Sequence, residues 1–264
     1  MMSYQSLDLD VQEGIAWIII NRPKSYNAID LHAVRELYDV ANRLGSDDAI
    51  RCVVLSGAGD KAFCAGGDVS SFVEHQDDIG LFLKEMTTYL HMAVSRFAWM
   101  KAPLIASVNG VAAGAGLSMV AFCDLAVAAD HATFTSAYTH IGLTPDGSSS
   151  YFLTRILGTR RTAELYLTNR VLSAEEALDW GLVNRVVPAS DLKEEVAKLA
   201  SGLAKGPTLA YGGIKRLLQT APNDSLESQM ERETRIIYEM AKSRDGQEGV
   251  KAFVEKRKPT FEGR

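Results

Sequence analysis

Asn109-Gly110-Val111-Ala112-Ala113-Gly114-Ala115-Gly116-Leu117-Ser118-Met119 is the stretch on which the reading of this chain turns. A strand-like run, Leu104 to Val108, precedes it, and another, Leu125 to Ala128, follows. Gly110-x-x-x-Gly114-x-Gly116 between a strand and a helix, with Asp130 further on, has the outline of a dinucleotide-binding turn. A Tyr-x-x-x-Lys pair, Tyr211 and Lys215, points the same way. Context argues against it. Only about two helical turns fit between Gly116 and Cys123-Asp124, fewer residues than a crossover between parallel strands uses. The motif also begins late in the chain, with no βαβ unit placed for an adenosine half. Two readings of the glycines stay open. They let a helix pack closely on a strand, or they expose backbone N–H groups at a helix N-terminus to receive an oxyanion. A second small-residue loop, Phe63-Cys64-Ala65-Gly66-Gly67-Asp68, can supply another such N–H. Neither loop holds the Gly-Lys-Ser/Thr of a phosphate-binding loop.

Outward from this stretch, strands and helices alternate. Leu7-Leu9-Val11 alternates with polar residues and Trp17-Ile18-Ile19-Ile20 is continuously apolar, so Glu13-Gly14 between them predicts an opening β-hairpin. Asp30 is placed to cap a helix whose Leu31, Val34, Leu37, Tyr38, Ala41 and Leu44 share one face. Cys52-Val53-Val54-Leu55 reads as a short buried strand, and about Ile79 to Met100 as a helix ended by Pro103. From Thr159 onward the pattern is nearly all helical, punctuated by Gly181, Pro188 and Gly206-Pro207. The expected class is α/β, with a core over 1–200 and a helical section over 201–264.

Composition narrows the function. The chain has 264 residues, 47% hydrophobic and 23% charged, which excludes a disordered chain. Lys and Arg number 28 against 33 Asp and Glu, a net charge of -5, which speaks against a nucleic-acid partner while leaving room for a local basic patch. Cys52, Cys64 and Cys123 form no C-x-x-C pair and have no histidine at ligand spacing, so neither a disulfide framework nor a metal site is expected. MMSYQSLDLD has no basic or apolar leader region, and the longest apolar stretch, Val111 to Cys123, is too short for a span of roughly 20 residues. A soluble, cytoplasmic protein with no membrane partner is expected.

Taken in order, several segments resemble the crotonase (enoyl-CoA hydratase/isomerase) superfamily. They are Asn21-Arg22-Pro23, the Phe63–Asp68 loop, Val108 through Asp124, Ile141-Gly142-Leu143-Thr144-Pro145-Asp146-Gly147, Trp180-Gly181-Leu182-Val183 and Ala252-Phe253-Val254-Glu255-Lys256-Arg257. Each is weak alone, but the ordered set is specific and spans essentially the whole chain. The resemblance implies a spiral of ββα turns with C-terminal helices that build a homotrimer or hexamer. It implies an acyl-CoA thioester substrate, with coenzyme A as part of the substrate and no separate cofactor. The thioester enolate would be held by the N–H groups of Gly67 and Ala115. Coenzyme A would be met by Arg22, Lys24, Ala28, Ala65 and Asp68, and by Phe253 and Lys256 of a neighbouring subunit. Asp68 reads equally as a plain helix N-cap, and Lys256 lies in a Glu/Lys/Arg run that is otherwise a solvated face.

Side chains decide the chemistry on that scaffold. The family's hydratases use two glutamates to activate water. Those positions correspond to Ser118 and Tyr138, and no glutamate occurs between Glu85 and Glu164. Of the carboxylates in the centre, Asp124 and Asp130 read as turn or capping residues. Asp146, in Pro145-Asp146-Gly147, has the signature of a β-turn but stands where superfamily isomerases that act on ring enoyl-CoA compounds carry an aspartate. One carboxylate there can remove a proton and return it elsewhere while an enolate is held. The phenylacetate-pathway isomerases are similar through Leu143-Thr144-Pro145-Asp146-Gly147, which ranks isomerisation first.

The 4-chlorobenzoyl-CoA dehalogenases are similar between Asn109 and Val187 and carry a histidine at His91 and the same aspartate. In that chemistry Asp146 attacks carbon and His91 activates water. Their tryptophan is Tyr138 here. A histidine among Leu90, Met92, Ala93 and Val94 is otherwise an ordinary core or interface residue. Tyr138 is expected to bond the substrate or pack the pocket, and His140 to be structural. A non-catalytic acyl-CoA-binding protein is the reading of a different class. The pocket wall is expected between Ser70 and Met100.

Overall fold

In the computed structural model, residues 4–264 are described. The opening hairpin forms as expected, β1 (Leu7–Gln12) antiparallel to β2 (Ile15–Ile20). Asp30 then caps α1 (Leu31–Ser46), its carboxylate accepting from Ala33 N at 2.8 Å. From there the chain winds as a spiral in which each turn gives one strand to each of two sheets. β3 (Cys52–Gly57) passes to β4 (Ala62–Cys64), and after α2 (Val69–Glu74) and α3 (Ile79–Trp99) β5 (Leu104–Val108) passes to β6 (Val111–Ala113). After α4 (Ala115–Phe122), β7 (Leu125–Ala129) passes to β8 (Thr133–Thr135).

The larger sheet runs β1-β2-β3-β5-β7-β10, parallel from β2 onward, with β10 (Arg185–Val187) at its edge. The smaller runs β4-β6-β8-β9 and closes antiparallel on β9 (Leu172–Ser173). Between β8 and β9 lies α5 (Ser149–Thr168), and α6 (Ala174–Trp180) leads to β10. The expected ββα spiral is therefore present.

Strand periodicity divides the core. Val53, Leu55, Leu104 and Ala106 point inward against α1, α3 and α4, where Leu37, Phe97 and Leu117 are buried. Their neighbours Cys52, Val54 and Ile105 point outward and are covered by Leu192, Val196 and Ala200 of α7 (Leu192–Ala204). One expectation changes here. The helical reading after Thr159 missed β9 and β10, which are two and three residues long and carry little period of their own. Residue 200, the expected end of the core, falls inside α7, which runs to Ala204.

Beyond it come α8 (Thr208–Thr220), α9 (Leu226–Lys242) and α10 (Arg244–Val254). No helix among the described residues is long and apolar enough to cross a membrane.

Asp124 and Lys215 also read differently in three dimensions. Lys215 of α8 is buried, and its Nζ lies 2.7 Å from Asp124 Oδ2 and 3.1 Å from the carbonyls of Phe97 and Ala102. Asp124 in turn accepts from Leu104 N at 2.8 Å. So Asp124 is more than a turn residue. It fastens the C-terminal section to the spiral, and the Tyr-x-x-x-Lys lysine is its ion partner.

Candidate active site

Both small-residue loops end at one cavity of about 580 Å³. Its walls come from Ile29, from the Ala65–Gly67 loop, from Phe72, Leu83, Met86 and Leu90 of α2 and α3, and from Gly114-Ala115. The segment from Ser136 to Asp146 closes it. The Ser70–Met100 region thus supplies part of the apolar wall.

The glycines do different things at different positions. Gly110 and Gly116 serve packing: a Cβ on Gly116 would sit 1.9 Å from the Cys64 carbonyl oxygen, and one on Gly110 2.4 Å from that of Lys61. Gly114 serves conformation instead, with φ 52° and ψ -121° at the entry to α4. That entry leaves the Ala115 N–H at the first position of α4, where no intrahelical acceptor exists. Gly67 presents its N–H from the facing loop. Neither N–H donates to a protein group among the described residues, and both residues line the cavity. The loops touch: a Cβ on Gly66 would lie 3.0 Å from the Ala113 carbonyl oxygen and 3.5 Å from Ala115 N. Burial pushes the Cys64 thiol up to about 12, so it is an inert part of the first loop.

Opposite, Asp146 is the one carboxylate on the cavity wall among the described residues. Tyr138 donates its hydroxyl to Asp146 Oδ1. Ser118, fully buried, places its Oγ 3.0 Å from the Asp146 carbonyl oxygen and 3.4 Å from the Tyr138 hydroxyl. The β-turn is present but set one residue on. Ser149 N donates to the Asp146 carbonyl at 3.1 Å, and Gly147 and Ser148 occupy the turn with φ of 59° and 65°. Burial pushes the Asp146 carboxyl above the ordinary carboxylate range, and the Tyr138 hydrogen bond works in the opposite sense without cancelling it. The Tyr138 phenol is held well above its ordinary value by burial and by that carboxylate.

Of the expected site residues, the cavity wall brings together Gly67, Ala115, Ala65, Tyr138 and Asp146. His91 is not among them. It lies behind the Asp146 turn, where its Nε2 accepts from Gly147 N at 3.2 Å. His140, expected as structural, is exposed and lines the cavity.

Arg22 lies beside two carboxylates. Its guanidinium reaches Asp30 at 2.8 Å, Asp68 at 2.9 Å and the Ala28 carbonyl, so its charge braces the first loop. Asp68 is indeed the N-cap of α2, accepting from Ser70 N at 3.2 Å, and against the effect of burial the Ser70 hydroxyl and then Arg22 hold its carboxyl below the ordinary range. Ala28 is buried, while Lys24 is exposed and has no ion partner among the described residues. Phe253 and Lys256, at the exposed end of α10, do not line the cavity of their own chain. What sequence reasoning missed is the role of Ser118, considered only as the replacement of a glutamate. Its sole signal was a polar residue within an otherwise apolar helix.

Residues 10–264 match the family described as enoyl-CoA hydratase/isomerase. A Rhodobacter capsulatus protein named as a probable enoyl-CoA hydratase is 34% identical over 100% of both chains. The 1,2-epoxyphenylacetyl-CoA isomerase of Escherichia coli is 34% identical over 96% of this chain and 97% of its own. An Arthrobacter 4-chlorobenzoyl coenzyme A dehalogenase is 37% identical over 88% of this chain and 84% of its own. Among solved structures, an enoyl-CoA hydratase from Polaromonas superposes with a TM-score of 0.92 at 30% identity, covering 97% of this chain and 99% of that one.

Proposed function

The chain belongs to the enoyl-CoA hydratase/isomerase family, and from that premise we propose that it is an acyl-CoA isomerase whose Asp146 moves a proton to shift a double bond. One observation carries the reading: a lone carboxylate lines the same mostly apolar cavity as two unpartnered backbone N–H groups. The thioester carbonyl oxygen lies between the N–H groups of Gly67 and Ala115. Asp146 removes a proton from the acyl chain, the negative charge passes to that oxygen, and the two donors hold it there. The same carboxyl returns the proton at another carbon. Burial raises its basicity for this, and Tyr138 takes Oδ1, which leaves Oδ2 for the proton. With Ser118 and Tyr138 in place of the two glutamates, a water-activating pair is missing, which ranks hydration below isomerisation.

The dehalogenase relative supports a second use of Asp146, as a nucleophile. That route needs His91 to activate water, and its Nε2 is occupied by Gly147 behind the wall. Lys24, with Phe253 and Lys256 of a neighbouring subunit, meets coenzyme A in this proposal. Exposed Leu218, Leu226, Ile237, Val250 and Val254 on α8–α10 support a homotrimer or hexamer. Light scattering on the purified chain is expected to give three or six times the 28.8 kDa subunit, and a monomer would refute the assembly.

The function test is a deuterium-exchange screen over aliphatic and cyclic acyl-CoA thioesters in heavy water. The wild type is expected to exchange at least one. Asp146→Asn is expected to lose about 10³-fold in exchange, within the range of general-base effects, while still binding the thioester. Full exchange in the variant would overturn Asp146 as base. Binding without exchange in the wild type would identify a non-catalytic binder, and halide release from a haloaryl-CoA would identify the dehalogenase.

A further inference from the structure

The peptide unit joining Asp146 to Gly147 is held at both ends by side chains from two different helices. Its carbonyl lies 3.0 Å from Ser118 Oγ of α4, and its N–H donates to His91 Nε2 of α3 at 3.2 Å. Accepting from that N–H takes up the Nε2 lone pair. Fixing that peptide plane fixes the backbone angles on either side of it, and with them the direction in which the Asp146 side chain leaves the chain. Gly147 leaves no room for a side chain at this turn. A Cβ there would lie 2.9 Å from Ser118 Cβ and 3.3 Å from the Leu90 side chain, and its φ is 59°. His91 meanwhile faces a separate groove of about 380 Å³ shared with Val94, Trp99, Tyr151 and Phe152, away from the substrate cavity.

We propose that His91 is a positioning residue: with Ser118 it clamps the Asp146–Gly147 peptide plane and so aims the carboxylate across the cavity. The role needs an acceptor lone pair at the place of Nε2 and no proton transfer by the ring. It rests on Asp146 being the base, and it assigns His91 a part other than activating water. Misaiming a catalytic group by about 1 Å lowers rates by up to about 10²-fold while leaving ground-state contacts intact.

The test compares Asp146→Asn, His91→Phe and His91→Gln on whichever acyl-CoA thioester the wild type exchanges fastest. Gln can bring its Oε1 to the place of Nε2, whereas Phe fills the same space without an acceptor. His91→Phe is expected to lower kcat about 10- to 100-fold with KM within twofold of wild type, and His91→Gln to recover to within about threefold. A second readout needs no turnover. Amide hydrogen exchange of peptides covering 143–151 is expected to speed up in His91→Phe and not in His91→Gln.

Wild-type kcat and amide exchange in His91→Phe, or equal loss in both His91 variants, would overturn the clamp and leave the Asp146 reading standing as long as Asp146→Asn is inactive. An Asp146→Asn variant that exchanges normally would sink the base assignment, whatever the His91 variants do. If His91→Phe fails to fold, His91→Leu replaces it under the same two readouts.

Discussion

Asp124 and Asp146 lie 22 positions apart in the sequence, and burial raises the pKa of both, yet they do opposite things. Asp124 is met by a buried ammonium, Lys215, and by the Leu104 N–H. Asp146 is met by a neutral phenol that takes one oxygen, and its other side opens on a cavity. A cationic partner fixes a carboxylate in one charge state and one place, which suits a fastening. A neutral donor orients the group and leaves its basicity in use. The partner, more than the burial, separates the aspartate that holds the fold from the one proposed to act.

Removing the fastening gives the largest effect. Asp124→Ala leaves Lys215 buried with only two carbonyls, at a cost of about 3 kcal/mol, the lower end for a broken buried pair because a quarter of the Asp124 side chain is exposed. Urea unfolding should show it as a lower midpoint, with proton exchange per folded molecule unchanged. Pairing Asp124→Ala with Lys215→Met should recover most of the loss, since no charge is then stranded. A double variant as unstable as the single would mean that the ion pair is not what Asp124 contributes.

Much of this contrast was out of reach of the sequence, for reasons that can be named. The hairpin, the Asp30 cap and the strands at Cys52, Leu104 and Leu125 announce themselves because local period and capping chemistry determine them. So does the Asp68 cap. The two-sheet arrangement is invisible locally, because β4, β6 and β8 are three residues each and are defined by neighbours one spiral turn away. Lys215 looked like half of a dehydrogenase signature until the fold brought it to Asp124. The pairing of Arg22 with Asp30 and Asp68 likewise shows only in the folded loop. Position alone suggested Asp146, Gly67 and Ala115, while the hydrogen bonds that orient Asp146 depend on contacts that no spacing rule contains.

A smaller effect tests the neutral partner. Tyr138→Phe removes the hydrogen bond that lowers the Asp146 carboxyl, so its pKa should climb further. A base works only when ionised, so the acid limb of the rate profile should move to higher pH. Well above that limb the rate should fall by no more than about 10- to 100-fold, the scale of one hydrogen bond to a charged group. A limb that moves to lower pH would contradict the assigned role of the phenol.

The smallest expected effect has the opposite sign to that of Asp124→Ala. A carboxyl whose folded pKa is raised ionises more easily in the unfolded chain. Ionisation therefore favours unfolding, and this stability is present at low pH and lost as pH rises through the raised value. Asp146→Asn cannot ionise, so at neutral pH its Tm should exceed that of the wild type by roughly 1–3 °C. At a pH where the wild-type carboxyl is protonated the difference should vanish. A lower Tm at neutral pH would mean that Asp146 also stabilises the fold.

The contact between Gly66 and the Ala113–Ala115 segment has a consequence for how such a protein can change over generations. The half of the site that would hold charge is main chain, its spacing set where two turns of the spiral meet. The half that would move protons is side chain, at positions 118, 138 and 146. Substitutions can rewrite the second half one residue at a time while the first is inherited unaltered. Descendants of one backbone can then exchange reactions without having to reinvent the grip on a thioester.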